Sequence, residues 1–372
     1  FVCENYPSHF IGTNFWYGPI LGSEGVGGDR ARLEAELDSL KSLGLVNLRV
    51  LVGGDGPDGV PTRVTPTLQK EPGVYNDTLF RGLDYLLAEM AERDMKAVLF
   101  INNSWEWSGG YGMYLEWAGA GKSLIPAEVG YVPFMESVSH FVTNDKAKEL
   151  FYNHVRHVVS RTNTITGKPY SEDPAIFSWQ IGNEPRAFAR DSVTKAAFAD
   201  WMCTSASLIK SLDPNHMVSS GSEGLYGCEV DMDLFEKIHA HEDFDYLNVH
   251  IWPLVWRWVT KDTFADSVCV ANEMTEKYLT AHFPVAERLG KPIVLEEFGY
   301  PRDGAKAFEG EAEKFWDGVS LSKDSSTAAR DAYYSYVFGR LISARENGEP
   351  LVGVNFWGWG GHATQSQVNE FW

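Results

Sequence analysis

Ile176-Phe177-Ser178-Trp179-Gln180-Ile181-Gly182-Asn183-Glu184-Pro185-Arg186 starts as a short, mostly apolar run and leaves it through an amide, a carboxyl and a guanidinium. A run of that length closed by Gly and Pro reads as a buried strand. Val294-Leu295-Glu296-Glu297-Phe298-Gly299-Tyr300 repeats the pattern, with an apolar run at 293–295 followed by two carboxyls and a glycine. A carboxylate directly after a buried strand is costly unless it is paired or lies in a solvated site.

Outward from these two stretches, β-like runs at 10–14, 46–52, 97–101, 217–220, 246–249 and 352–356 complete a set with 176–181 and 293–295. Amphipathic stretches at 30–43, 78–93, 146–160, 193–212, 232–238, 272–289 and 328–345 lie between them, the first apolar at Leu33, Leu37 and Leu40. Strands alternating with helices give the α/β class and a (β/α)8 TIM barrel. Stretches 102–141, rich in Gly and aromatics, and 302–325, polar, read as long loops after strands three and seven. No linker breaks the composition, so residues 1–372 read as a single catalytic barrel domain. Only 15 residues follow Trp357, so a full eighth helix is hard to place and an unusual closure of the barrel is expected.

Composition narrows the partners. The 51 acidic and 32 basic side chains leave a net charge of -19, which repels phosphate backbones and anionic membrane surfaces. Neither nucleic acid nor membrane is an expected partner. The 13 Trp, 16 Tyr and 21 Phe suit the apolar faces of sugars as well as a large core. No apolar run reaches the length of a membrane-spanning helix. The chain begins at Phe1 without a signal pattern, as a processed chain does. Cys3, Cys203, Cys228 and Cys269 are widely spaced, and two disulfides or free thiols fit equally. His239, His241 and Glu242, like His154 and His157, lack a third ligand at metal spacing and read as solvated helix or loop residues. Gly22–Gly28 lacks the Lys-Ser/Thr ending of a phosphate loop. Asn76-Asp77-Thr78 is a glycosylation sequon. No metal and no cofactor is expected.

Barrel active sites gather at the C-terminal ends of the strands. Carboxyls there on nearly opposite strands can face each other across the mouth, as glycoside hydrolysis requires. One protonates the leaving oxygen while the other attacks the anomeric carbon, and retention needs them roughly 5–5.5 Å apart. At that range one carboxyl keeps its proton near neutral pH. A guanidinium set beside one such carboxylate holds it ionised and oriented. Asn183 can donate its amide to a sugar 2-hydroxyl as charge develops.

Several motifs in order carry a resemblance: Gly12-Thr13-Asn14-Phe15-Trp16, Asn47-Leu48-Arg49-Val50, Asn102-Asn103-Ser104-Trp105, Asn183-Glu184-Pro185-Arg186, Val249-His250-Ile251-Trp252-Pro253, Glu297-Phe298-Gly299 and Asn355-Phe356-Trp357. From Phe10 to His362 the chain resembles glycoside hydrolase family 5, and within it the fungal-type and bacterial endo-β-mannanases. The resemblance implies Glu184 as acid/base and Glu297 as nucleophile, with Arg49 beside the nucleophile. Glu296 becomes its buried or hydrogen-bonded neighbour, pointing to the other face of the strand. His250 bonds the acid/base or a sugar hydroxyl, and Trp357 is the platform under the sugar being cleaved. Arg186 lies towards the leaving-group sugars. Asn103 joins the substrate-binding set, Trp105 or Trp107 fills a sugar subsite, and Trp16, Trp256 and Trp258 line outer ones.

Two departures stand out. Trp252 occupies a place where many family members carry Tyr, and an indole N–H can only donate. Ser104 enters what often reads Asn-Asn-Trp. The implied activity is retaining hydrolysis of internal β-1,4 bonds in mannan, glucomannan or galactomannan. Its partners are then β-mannan and manno-oligosaccharides, met outside the cell because the polymer is too large to import. An exo-acting mannan hydrolase or a β-1,4-glucanase of the same family is the alternative. A non-catalytic carbohydrate-binding barrel is the reading from another class.

Overall fold

The apolar runs become the staves of one parallel barrel. In order they are β1 (Phe10–Asn14), β2 (Asn47–Leu51), β3 (Lys96–Phe100), β4 (Ile176–Gln180), β5 (Met217–Ser219), β6 (Leu247–Ile251), β7 (Ile293–Phe298) and β8 (Leu351–Phe356). The computed structural model describes residues 2–3, 6–7, 9–260, 262–302 and 326–362. Every residue of β2, β6 and β7 is buried, as expected for parallel strands covered on both faces.

The strands pair in the order β6-β7-β8-β1-β2-β3-β4-β5. The remaining seam, between β5 and β6, is stitched partly by side chains. The Val218 amide donates to Asp245 Oδ2 at 2.7 Å, the Asp245 amide to Val218 O at 2.9 Å, and the Gly221 amide to Asn248 Oδ1 at 2.8 Å.

Closure needs no helix after β8. Gly353 to Phe356 pair directly with Phe10 to Thr13. The chain then turns back over the first barrel helix, the His362 amide donating to Glu36 Oε1 at 3.0 Å. The β8–β1 edge is thus joined by ordinary strand pairing, and the expectation about an eighth helix falls on positions 363–372, outside the described residues.

The helices are α1 (Arg30–Ser42), α2 (Asp77–Glu92), α3 (Gly110–Ala118), α4 (Asp145–Val159), α5 (Ser192–Leu212), α6 (Met232–His239), α7 (Val268–Leu289) and α8 (Ala328–Asn347). Asp29, Asn76, Asn144, Asp191 and Asp231 start five of them by accepting free amides of the first turn. Gly290 and Gly348 end α7 and α8 with φ of 63° and 69°, a conformation glycine adopts without strain. Leu33, Leu37 and Leu40 of α1 are buried against the barrel wall, as their spacing requires.

The stretch 102–141 is not a loop. It folds into a one-turn helix at Glu106–Ser108, α3, and further short helices at Pro126–Val129 and Tyr131–Val138. Its aromatics, which blurred any periodicity, supply this subdomain's own core: Tyr111 stacks on Phe141 at 4.2 Å, and Trp201 of α5 packs edge-on to Phe141 at 5.2 Å. The stretch 302–325 lies outside the described residues except for Arg302.

Cys203, Cys228 and Cys269 are free thiols. The histidines read as solvated are only partly so. His239 is buried between Ser220 Oγ (2.9 Å) and Phe235 O (2.8 Å), and His154 is buried against Tyr75 OH (3.2 Å). Burial pushes both imidazoles down to about 3, so they stay neutral. Asn76 serves as a helix cap, its Oδ1 accepting from the Leu79 amide at 3.4 Å.

Candidate active site

Two of the strands end in the chemistry. Ser178 and Gln180 of β4 face the barrel interior, where Ser178 Oγ lies 2.6 Å from Tyr246 OH and Gln180 meets Arg49. Trp179, between them, turns outward and donates its indole N–H to Asp213 at 2.8 Å. The chain leaves β4 through Gly182 and Asn183, and Glu184 sits at φ 48°, a left-handed conformation uncommon for a residue with a side chain. Its surroundings hold it there. The Glu184 amide donates to Gly221 O at 3.0 Å, and Ser104 Oγ donates to Glu184 O at 2.5 Å. Ser104, a departure in sequence terms, is therefore part of the scaffold under Glu184. Strain of this kind persists where neighbouring structure over-determines it, typically at functional sites.

Glu297 is carried differently. It lies within β7, not after it, because that strand runs on to Phe298. A β-bulge interrupts the pairing: Val249 opposes Leu295, His250 opposes Glu297, and Glu296 has no partner in the register. The bulge corrects the expectation that Glu296 points away. Both carboxyls reach Arg49, Glu297 Oε1 at 2.5 Å from Nη1 and Glu296 Oε2 at 3.7 Å from Nε. The apolar-run reading stopped β7 at 295 because two carboxylates looked too costly to bury. Arg49, fully buried on β2, offsets part of that cost.

Arg49 organises the floor. Its Nε donates to Gln180 Oε1 (2.8 Å), Nη1 to Asn14 Oδ1 (3.1 Å) and Nη2 to Asn183 Oδ1 (3.0 Å). Asn183 in turn donates to Asn103 Oδ1 at 3.2 Å, and Asn103 donates to Ser108 Oγ at 2.9 Å. The amides of Asn14, Asn103 and Asn183 are thus oriented before any sugar arrives.

Glu184, His250 and Glu297 bring one donor atom each to within 4.8 Å of one another. His250 Nδ1 lies 2.9 Å from Glu184 Oε1 and 3.5 Å from Glu297 Oε2. Burial, helped by Arg49, keeps the His250 pKa well below its usual value, so the ring is neutral. Three such atoms can chelate a small cation, but Arg49 already puts a fixed positive charge on Glu297, which opposes a second one. Burial raises the pKa of Glu184 and of Glu297, and the Glu184 charge raises Glu297 further. The two therefore titrate as a pair, with one proton held between them into the neutral range. Arg49 contacts only Glu297, which favours the negative charge there and the proton on Glu184.

The aromatics divide into two groups. Trp105 donates its indole N–H to Glu184 Oε2 at 2.6 Å. Its ring is boxed by Tyr131, Phe134 and Phe188 at 5.9, 6.2 and 5.3 Å, with the Arg186 guanidinium 5.4 Å from its centroid. Of the two tryptophans left open by the sequence, Trp105 is the carboxyl's partner. Trp107 instead stands between Trp16 and Trp357 in an edge-to-face row, at 6.5 and 6.1 Å. The indoles of that row are partly exposed. Trp252 also directs its N–H to Glu184, and its ring fills the space where Gly299 has no Cβ. So the residue in place of Tyr donates to Glu184.

Arg186 is neither a surface ion pair nor a free arm. It forms two hydrogen bonds to buried Glu223, at 2.5 and 2.6 Å. Trp256 and Trp258 pack on Tyr226 and Tyr278 (Trp256–Tyr226 4.5 Å, Trp258–Tyr278 5.8 Å), which makes them a structural wing of the β6 loop. Glu223, Gln180 and Tyr131 were not singled out from the sequence. Each is an ordinary polar residue whose place at the site depends on long-range folding.

A barrel whose opposed glutamates share one proton over an arginine-organised floor has close counterparts among known proteins. The family model described as GH family 5 beta-mannosidase-like matches residues 1–372. A glycoside hydrolase family 5 mannosidase from Rhizomucor miehei superposes with a TM-score of 0.81 at 36% identity, covering 95% of this chain and 81% of that one. An endo-1,4-β-mannanase from the same organism superposes with a TM-score of 0.72 at 24% identity, covering 100% and 91%, a likeness of fold. Among curated relatives, mannan endo-1,4-beta-mannosidase 4 of Oryza sativa subsp. japonica is 31% identical over 82% of this chain and 59% of its own length. Mannan endo-1,4-beta-mannosidase 1 of Arabidopsis thaliana is 27% identical over 96% and 79%. With the motifs, the barrel and the match across all its residues in agreement, this chain belongs to glycoside hydrolase family 5.

Proposed function

We propose that this enzyme is a retaining endo-β-1,4-mannanase acting on internal bonds of mannan, glucomannan or galactomannan. The observation that carries the reading is the carboxyl pair, with one oxygen of Glu184 and one of Glu297 within 4.8 Å and Arg49 touching only Glu297 of the two. Oxygens this close favour the short carboxyl separation of retaining enzymes over the wider one that inversion needs. Glu297 attacks the anomeric carbon and forms a glycosyl-enzyme while Glu184 protonates the departing oxygen. Glu184 then takes a proton from water, which attacks the same carbon and restores the configuration. Trp105, His250 and Trp252 present N–H groups that stabilise Glu184 once it has given up its proton. Trp357, Trp107 and Trp16 offer ring faces and edges to the sugars. The names of the curated plant relatives support the substrate, and a polymer of that size supports a secreted enzyme.

A second reading, exo-acting β-mannosidase, is favoured by two observations. The family description and the 36% identical Rhizomucor structure both name a mannosidase, and the folded 102–141 insertion can wall off one end of the cleft. Product analysis on mannohexaose and cellohexaose separates the readings. Early mannobiose and mannotriose mean endo action on mannan, whereas mannose alone means exo action. Cleavage of cellohexaose in preference to mannohexaose overturns the mannan assignment, and an initially inverted anomer by NMR overturns the two-step mechanism.

A further inference from the structure

Behind the pair lies a third carboxylate that the displacement does not use. Glu296 is fully buried beneath the floor of the site, brought to the barrel interior by the β7 bulge. Gln180 Nε2 donates to Glu296 Oε2, and Tyr246 OH donates to Glu296 Oε1 at 3.2 Å. Gln180 then turns its own Oε1 to Arg49 Nε at 2.8 Å. We propose that Glu296 is a positioning residue: acting through Gln180, it fixes Arg49 and competes with Glu297 for its charge, and so sets the pH at which Glu297 becomes a competent nucleophile.

Arg49 can only donate, so Gln180 gives it its oxygen and turns its amide hydrogen to Glu296 Oε2, held in one orientation. Burial raises the Glu296 pKa, and Arg49, Gln180 and Tyr246 pull it back toward the carboxylate. Arg49 therefore serves two carboxylates with a single positive charge, at 2.5 Å for Glu297 and 3.7 Å for Glu296. Each weakens the hold of Arg49 on the other. The other charged or titratable groups facing Glu297 are Glu184 beyond β4, Glu223 beyond β5 and His250 on β6. Glu296 differs from Glu184 and His250 in lying beneath the site, so a change there alters the electrostatics and leaves the cleft lining in place. The proposal rests on Glu297 being the nucleophile.

Glu296→Gln keeps the shape. Its carbonyl accepts from Gln180, while its amide donates to Tyr246 OH, which can turn to donate to Ser178 Oγ, 2.6 Å away. The acidic limb of kcat/KM on manno-oligosaccharides should move to lower pH by about one unit, with KM little changed. The charge swap Gln180→Glu with Glu296→Gln puts a carboxylate directly on Arg49, and the limb should return to the wild-type position or above it. A merely structural role would lower kcat evenly across pH. A folded Glu296→Gln enzyme with an unmoved limb, or a swap variant whose limb lies below wild type, overturns the proposal. If neither variant folds, the carboxyl carbons of the ¹³C-Glu-labelled wild-type enzyme decide: Glu296 ionised throughout the acidic limb supports it, and Glu296 protonated there overturns it. Undiminished activity of Glu297→Ala would be a different failure, that of the nucleophile assignment itself.

Discussion

Glu297 and Glu184 are the same residue type at the same mouth, yet the barrel holds them in opposite ways. Glu297 is part of a strand, locked from below by Arg49, which Gln180 and Asn14 hold in turn, all from other strands of the barrel. Glu184 stands beyond its strand in a left-handed conformation, and what holds it comes largely from loops and strand ends: Ser104, Trp105, Gly221, His250 and Trp252. The strand-borne carboxyl gains rigidity and a fixed counter-charge. The loop-borne one gains donors that can be exchanged without disturbing the barrel. Such a division lets one fold keep its chemistry while its pH response and subsites vary.

The strongest way to break this contrast is to remove each carboxyl in turn. Glu297→Ala should cost about 10⁴-fold or more in turnover on any substrate, because no neighbour can replace an attacking group. Added azide should then restore product with inverted configuration; restored product of retained configuration would refute the nucleophile role. Glu184→Ala should cost about 10³-fold on mannan but far less on an aryl mannoside with a good leaving group, since only protonation is lost. Equal losses on both substrates would refute the acid role.

Trp105→Phe sharpens the comparison on the loop side. It keeps the ring among Tyr131, Phe134 and Phe188 but removes the N–H donated to Glu184 at 2.6 Å. The donor favours the carboxylate, so its loss raises the Glu184 pKa and moves the alkaline limb of kcat/KM to higher pH, with activity down about fivefold. An unmoved limb accompanied by a raised KM would make Trp105 a sugar platform instead.

The smallest expected effect concerns the clamp under the turn that carries Trp105 and Trp107. Residues 53–68 hold that turn through Asp55 N to Ser108 O and Val64 N to Trp107 O, both 2.8 Å. Asp55 and Glu106 are buried there, and burial pushes each up to about 7. Their unfolded values lie near 4, so between about pH 4 and 7 the folded state binds more protons. Their contribution to stability is full below that window and is lost as pH rises through 7. Thermal melts should fall by a few degrees from pH 5 to pH 8, and Asp55→Asn with Glu106→Gln should flatten that slope. A slope unchanged in the double variant would remove the clamp from the account.

Much of the site was legible because its logic is local. Apolar runs of strand length marked the barrel, and the polar residues after two of them put Glu184 and Glu297 at its mouth. Arg49 in the middle of a fully buried strand needed a buried anion, and it has two. The boundaries that missed, at β6 and β7, missed for one reason: His250, Glu296 and Glu297 look like strand breakers until their partners on other strands are known.

By itself, then, the sequence determined the alternation of strands and helices, the identity of the two carboxyls and the arginine that must accompany them, since burial and spacing are properties of short segments. Tertiary structure alone decided the β7 bulge that turns Glu296 inward, the choice of Trp105 over Trp107 as the partner of Glu184, the engagement of Arg186 with Glu223 and the side-chain stitching of the β5–β6 seam. Each of these depends on which distant residue arrives within about 3 Å, and hydrogen bonds and ion pairs lose their hold within an ångström or two of that distance.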